Sequence, residues 1–164
     1  MKMIVLGTLC AVSTMVTTIP LARAQPFSPS ESASQIVMAD AYPLETQATE
    51  LGSATHFIDV KVGGNPISQL MIGFPDGLKV TQGIKVAARS KQPVNAKVLM
   101  NGNGTTISFA QPVQPGTTLK VALRGVSGSR ANDDIWFYPV SVQYVGETAE
   151  IPIGTARIQT YDDD

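Results

Sequence analysis

The sequence predicts an all-β chain, an immunoglobulin-like β-sandwich of seven or eight strands, with a small β-barrel as the alternative architecture. Three observations carry this. Apolar residues recur with period two from residue 55 onward, and alternate side chains of a strand point to opposite faces. The chain has 14 glycines and 11 prolines, and those from residue 63 onward recur at short intervals, which suits short strands rather than long helices. No stretch carries a sustained apolar stripe of 3.6-residue period with caps. Period two alone does not separate a sandwich from a barrel.

The elements follow in order. Residues 55–62 place His56, Ile58, Val60 and Val62 on one face, and Thr55, Phe57, Asp59 and Lys61 on the other. Gly63-Gly64-Asn65-Pro66 ends this strand, and 67–74 form the next, closed by Pro75-Asp76-Gly77. Ile84, Val86 and Ala88 alternate with Lys85, Ala87 and Arg89. Residues 96–100 and 105–109 flank Asn101-Gly102-Asn103-Gly104, a strong hairpin signal. Leu119, Val121 and Leu123 alternate with Lys120, Ala122 and Arg124, and 125–134 read as a polar, Gly-rich loop. The longest strand, 135–145, puts Trp136, Tyr138, Val140, Val142 and Tyr144 on one face. Its Pro139 lacks an N–H, which predicts an edge position or a bulge. Residues 151–158 close the set, with a bend at Gly154.

The N-terminus reads as a secretory leader. Lys2 supplies the positive start, 4–19 an uncharged apolar run, Pro20 a break, and Ala22-Arg23-Ala24 the small residues of a cleavage site. Cleavage after Ala24 is expected. The run is shorter than the about 20 apolar residues of a spanning helix. Residues 25–53 read as a flexible acidic linker, Pro- and Ser-rich at its start and without Lys or Arg. In it, Ile36-Val37-Met38 is the one stretch able to dock. The domain then runs over 54–161, and 162–164 form an acidic tail.

The 164 residues suffice for one domain, and a charged fraction of 15% argues against disorder throughout. Lys2 and Arg23 leave with the leader, so ten basic residues face 13 acidic ones and the net charge becomes −3. No basic patch suits phosphates, and nucleic-acid binding is disfavoured. The single cysteine, Cys10, lies in the leader. The mature chain therefore has no disulfide, thiolate ligand or Cys nucleophile.

His56 is the only histidine, so any triad or imidazole metal site must use it. Asp59 is three residues on, which puts the two on opposite strand faces. His56 reads as a partly buried strand-end histidine bonded to a backbone carbonyl. A ligand or proton-transfer role is the sharper alternative. Met38, Met71 and Met100 are single and widely spaced, and Met71 and Met100 read as core filling rather than copper ligands. Asn132-Asp133-Asp134 offers too few oxygens for calcium. Arg124, Arg130, Asp133, Asp134 and Trp136 gather around one loop, the place to look for a recognition surface. The plainer reading keeps Trp136 in the core beside Tyr138 and Val140. No cofactor and no metal site is indicated.

The spacing of Thr55-His56-Phe57-Ile58-Asp59-Val60, of 66–74, of Ile107-Ser108-Phe109 through Pro115-Gly116 to Leu119-Lys120-Val121, of 138–142, and of Ile153-Gly154 to Tyr161 resembles a family of short exported proteins of unknown function common in cyanobacteria. The resemblance covers about 105 residues, nearly the whole domain. It implies export and an uncharacterised β domain, and brings no catalytic residues. The leading expectation is a non-catalytic interaction or structural module of the cell envelope, in the periplasm or outside. A small-ligand or copper-type carrier built on His56 and a carboxylate-based hydrolase are the alternatives. The expected partner is an envelope protein or surface component; pairing of a partner along a sheet edge is conceivable on general grounds but not indicated by the sequence.

Overall fold

A computed structural model describes residues 33–43, 54–90, 92, 94–128 and 135–160. The expected leader, the expected acidic tail and the loop residues Arg130, Asp133 and Asp134 lie outside the described residues. Ten strands run in chain order: β1 Gln35–Pro43, β2 Ala54–Lys61, β3 Ile67–Gly73, β4 Leu78–Val80, β5 Ile84–Ala88, β6 Ala96–Asn101, β7 Gly104–Val113, β8 Thr118–Gly128, β9 Ile135–Tyr144 and β10 Ile151–Gln159. They form two antiparallel sheets. Sheet A is ordered β1-β2-β8, with β4 and β5 both on the far side of β8; sheet B is ordered β10-β9-β3-β7-β6. The fold is therefore a β-sandwich, not a closed barrel.

The inward faces are the alternating sets read from the sequence. Ile58 and Val60 of β2, Leu119, Val121 and Leu123 of β8, Leu70 and Ile72 of β3, Ile107 of β7, and Tyr138, Val140 and Val142 of β9 are buried in one core. Burying such side chains stabilises by about 1.5–3 kcal/mol each.

Three expectations are corrected. First, residues 35–43, read as part of a linker, form β1 along the outer side of β2. Ile36, Ala39 and Ala41 pack on the core, and the hydroxyl of Ser34 accepts the Gly63 N–H at 3.1 Å. Docked apolar residues and satisfied backbone outweigh the chain entropy that composition emphasised.

Second, β8 runs on through Gly128, where a loop was expected from Gly125. Gly125 has φ +67°, and a side chain there would meet Thr81 Oγ1. It marks an irregularity between β5, which pairs with Leu119–Leu123, and β4, which pairs with Val126–Gly128. Thr81 N–H donates to Gly125 O at 3.0 Å and bridges the gap.

Third, β9 is an interior strand between β10 and β3, although it contains Pro139. The ladder with β3 stops at Val140, one residue before the proline's level, and the bulge sits on β10 between Pro152 and Gly154. The missing N–H thus falls where pairing to β3 has already ended.

Candidate functional site

Two polar clusters and one surface depression concentrate the chemistry of the described residues. The first cluster lies in the core. β2 sits between β1 and β8, and His56 faces inward at a level with Ala41 and Leu123. Across the core β9 presents Trp136 and Tyr138. His56 Nδ1 and Tyr138 Oη share a hydrogen bond of 2.6 Å. The imidazole meets both rings edge-on, with centroids 5.8 Å from Tyr138 and 5.9 Å from Trp136. His56 is 1% exposed. Desolvation lowers its pKa from 6.5 to about 4, and pushes the Tyr138 phenol well above its ordinary value. Both groups are neutral at pH 7.

His56 is thus fully buried mid-sheet and bonded to a tyrosine, not partly buried at a strand end and bonded to a carbonyl. A sealed, neutral imidazole with one nitrogen engaged is poorly placed to bind metal or move protons. Trp136 stands over Gly128, where any side chain would collide with its ring. Its Nε1 is buried without a hydrogen-bond partner.

The second cluster is on the outer face of sheet A, where alternation places Asp59. His56 and Asp59 lie on opposite faces, as the odd spacing predicts. Asp59 is nonetheless wholly buried. Its Oδ2 lies 2.9 Å from Arg89 Nε, close enough for an ion pair, while neither carboxylate oxygen has a donor aligned for a hydrogen bond. Arg89 Nη2 reaches Met38 Sδ at 3.9 Å. Beside them Lys120 Nζ stands 4.1 Å from the centroid of the Phe57 ring, a cation–π contact. Sequence reading weighed Asp59 only as a partner for His56. No local pattern announces that Arg89, from the end of β5, covers it.

The depression lies on the outer face of sheet B. It is an open trough of about 290 Å³ lined in part by Met71, Gly73, Asn101, Thr106, Pro139 and Ser141. It exists because the central residues are short. At Gly73 a side chain would fill the space beside the Pro139 ring, 3.4 Å away. Met71 is on this outer face between buried Leu70 and Ile72, and Met100 is 49% exposed. Neither fills the core, contrary to expectation, because both stand where the strand turns its side chain outward or runs past the core's end.

Of the loop cluster expected from sequence, only Arg124 and Trp136 lie among the described residues. Arg124 follows buried Leu123 and faces out from sheet A, whereas Trp136 points inward to His56. No group of three or more His, Cys, Asp or Glu able to hold a metal occurs among the described residues.

No protein-family model matches the chain, and no curated protein matches it. Among solved structures it is similar to BslA, a bacterial hydrophobin, at 13% identity and TM-score 0.47, over 81% of this chain and 97% of that one. It is also similar to the collagen-binding domain of a Staphylococcus aureus adhesin, at 7% identity and TM-score 0.41, over 81% and 99%. A third is ACE19, the collagen-binding subdomain of the Enterococcus faecalis surface protein ACE, at 12% identity and TM-score 0.44, over 84% and 99%. At such identities and scores these likenesses carry no function over to this chain.

Proposed function

We propose that the chain is a non-catalytic, exported module that binds a protein or polymer of the cell envelope or surface. The observation that carries this reading is the division of labour between interior and surface. The one histidine is sealed in the core against Tyr138, while the outer face of sheet B offers an open trough over Gly73. A rigid sheet with a shallow, mixed polar and apolar depression suits recognition of an extended chain or surface polymer. The leader and the resemblance to short exported cyanobacterial proteins support placement in the periplasm or outside.

The test is co-sedimentation of the purified protein with envelopes from its own host. Ser141→Arg and Thr106→Arg would fill the trough without touching the core. Saturable binding, weakened tenfold or more by either substitution, supports the proposal. Equal binding by both variants, or turnover of an envelope substrate, would overturn it.

A further inference from the structure

Among the described residues the two sheets have free edges, and most are blunted. β4 and β5 are three and five residues long and carry Lys79 and Lys85. β1 is bulged between Ile36 and Met38 and carries Asp40. β10 is bulged at Gly154 and carries Pro152 and Arg157. Shortness, charge, proline and bulges all discourage edge pairing. β6 differs. Like β5 it has an unbroken ladder, no proline and one charge, Lys97, but unlike β5 it leaves large apolar side chains exposed, Leu99 at 54% and Met100 at 49%.

The phase of its hydrogen bonds is fixed by the ladder. Ala110 N–H donates to Asn95 O at 2.9 Å, so residues 95 and 110 form a hydrogen-bonded pair at the start of the β6–β7 ladder. Such pairs alternate along antiparallel strands. Lys97, Leu99 and Asn101 therefore turn their backbone groups toward β7. Ala96, Val98 and Met100 turn theirs to the free edge.

We propose that this edge pairs antiparallel with β6 of a second copy of the chain, about a two-fold axis through Val98. The proposal is independent of what fills the trough. In this register Val98 pairs with the partner's Val98, and Ala96 with the partner's Met100. Each of these pairs exchanges two hydrogen bonds, so every outward group of the edge is satisfied. The intervening positions set Lys97 beside the partner's Leu99. The lysine stem covers the exposed leucine, and no like charges face each other. The self-complementarity selects a second copy as the occupant, because a closed two-fold contact needs one strand to match its own reverse. The two copies of sheet B then form one continuous sheet. A single short edge buries less than the roughly 1,200 Å² of a stable interface. The association is accordingly weak, with a dissociation constant on the order of 100 μM.

The test is sedimentation equilibrium at low salt from 10 μM to about 1 mM, a range set to bracket that constant, using the full chain and three variants. Leu99→Lys faces the partner's Lys97 with a like charge and weakens the dimer tenfold or more. Leu99→Glu faces it with the opposite charge and keeps or tightens the dimer. Met100→Pro removes an N–H that the β6–β7 ladder does not use, and abolishes dimerisation while the far-UV spectrum is retained. A wild-type chain that stays monomeric at about 1 mM would overturn the proposal. So would a dimer that Leu99→Lys and Leu99→Glu weaken equally, or one that Met100→Pro leaves intact.

Discussion

His56 links burial to pH. Unfolded, it takes up a proton near pH 6.5; folded, only near pH 4. Between these values the unfolded state binds the extra proton, so stability falls as pH drops through that window. The loss is about 3 kcal/mol at 1.36 kcal/mol per unit. Above pH 6.5 the residue adds no pH dependence. Urea unfolding at pH 7.5 and pH 4.5 checks this against His56→Gln, which cannot titrate. The wild type is expected to lose about 3 kcal/mol more than the variant, and equal losses would refute the assignment. The Asp59–Arg89 pair makes a second residue-scale prediction. Arg89→Met leaves a carboxylate buried without its counter-charge, which is costly. Because Arg89 is itself 59% exposed, the expected loss is about 2 kcal/mol rather than the full penalty of a buried pair. Adding Asp59→Asn should restore most of it in a double-mutant cycle. Alternation in the sequence suffices to send His56 inward and Asp59 outward. It does not reveal Tyr138 as the partner of His56, because the two are 82 residues apart.

At the scale of elements, the hairpin of β6 and β7 shows how a correct reading can rest on the wrong residue. Asn101-Gly102-Asn103-Gly104 does form the turn. Its tip is held by the side chain of Asn101, whose Oδ1 accepts the Asn103 N–H at 3.0 Å, an Asx-type turn. Gly104 is required for another reason: a Cβ there would lie 2.5 Å from Ile72 O on β3. Gly104→Ala should therefore destabilise by about 2–4 kcal/mol, as forced overlap in a packed interior does. Gly102→Ala, with nothing within 4 Å, should stay within about 0.5 kcal/mol of wild type. Thermal unfolding of the two variants distinguishes the roles, and equal effects would count against this account. The eight strands with clear alternation were legible. β1 was hidden by the acidic, uncompensated composition around it, and its fit depends on β2 and the core. β4 is too short to show a period. The extension of β8 was hidden by Gly125 and Gly128, which local reading assigns to loops but which here accommodate Thr81 and Trp136. The trough was illegible for a related reason. Gly73, Thr106, Pro139 and Ser141 come from three strands, and only sheet order makes them neighbours.

At the scale of the whole molecule, chain order and sheet order diverge, and this sets how the protein folds. Lys61 pairs with Thr118 between β2 and β8, and Ile67 with Tyr144 between β3 and β9. Both central pairings close long loops before any core forms. The hairpin of β6 and β7 forms locally, but it lies at the edge of sheet B and cannot by itself template sheet A. Loop-closure entropy is thus spent before burial compensates it. All-β domains dominated by such non-local pairs fold in milliseconds to seconds rather than microseconds. Trp136 is the only tryptophan, and it rests between His56 of sheet A and Gly128 at the end of β8. Its fluorescence therefore reports closure of the two sheets on one another. Stopped-flow refolding from urea is expected to show the native Trp136 signal recovering over milliseconds to seconds, together with far-UV circular dichroism in a single phase. Recovery complete within the mixing dead time would mean that local hairpins, and not the β2–β8 and β3–β9 pairings, determine the rate. If the non-local pairings set the rate, as expected, a substitution that loosens the β2–β8 contact, such as Val121→Ala, slows refolding more than one at the exposed end of β6.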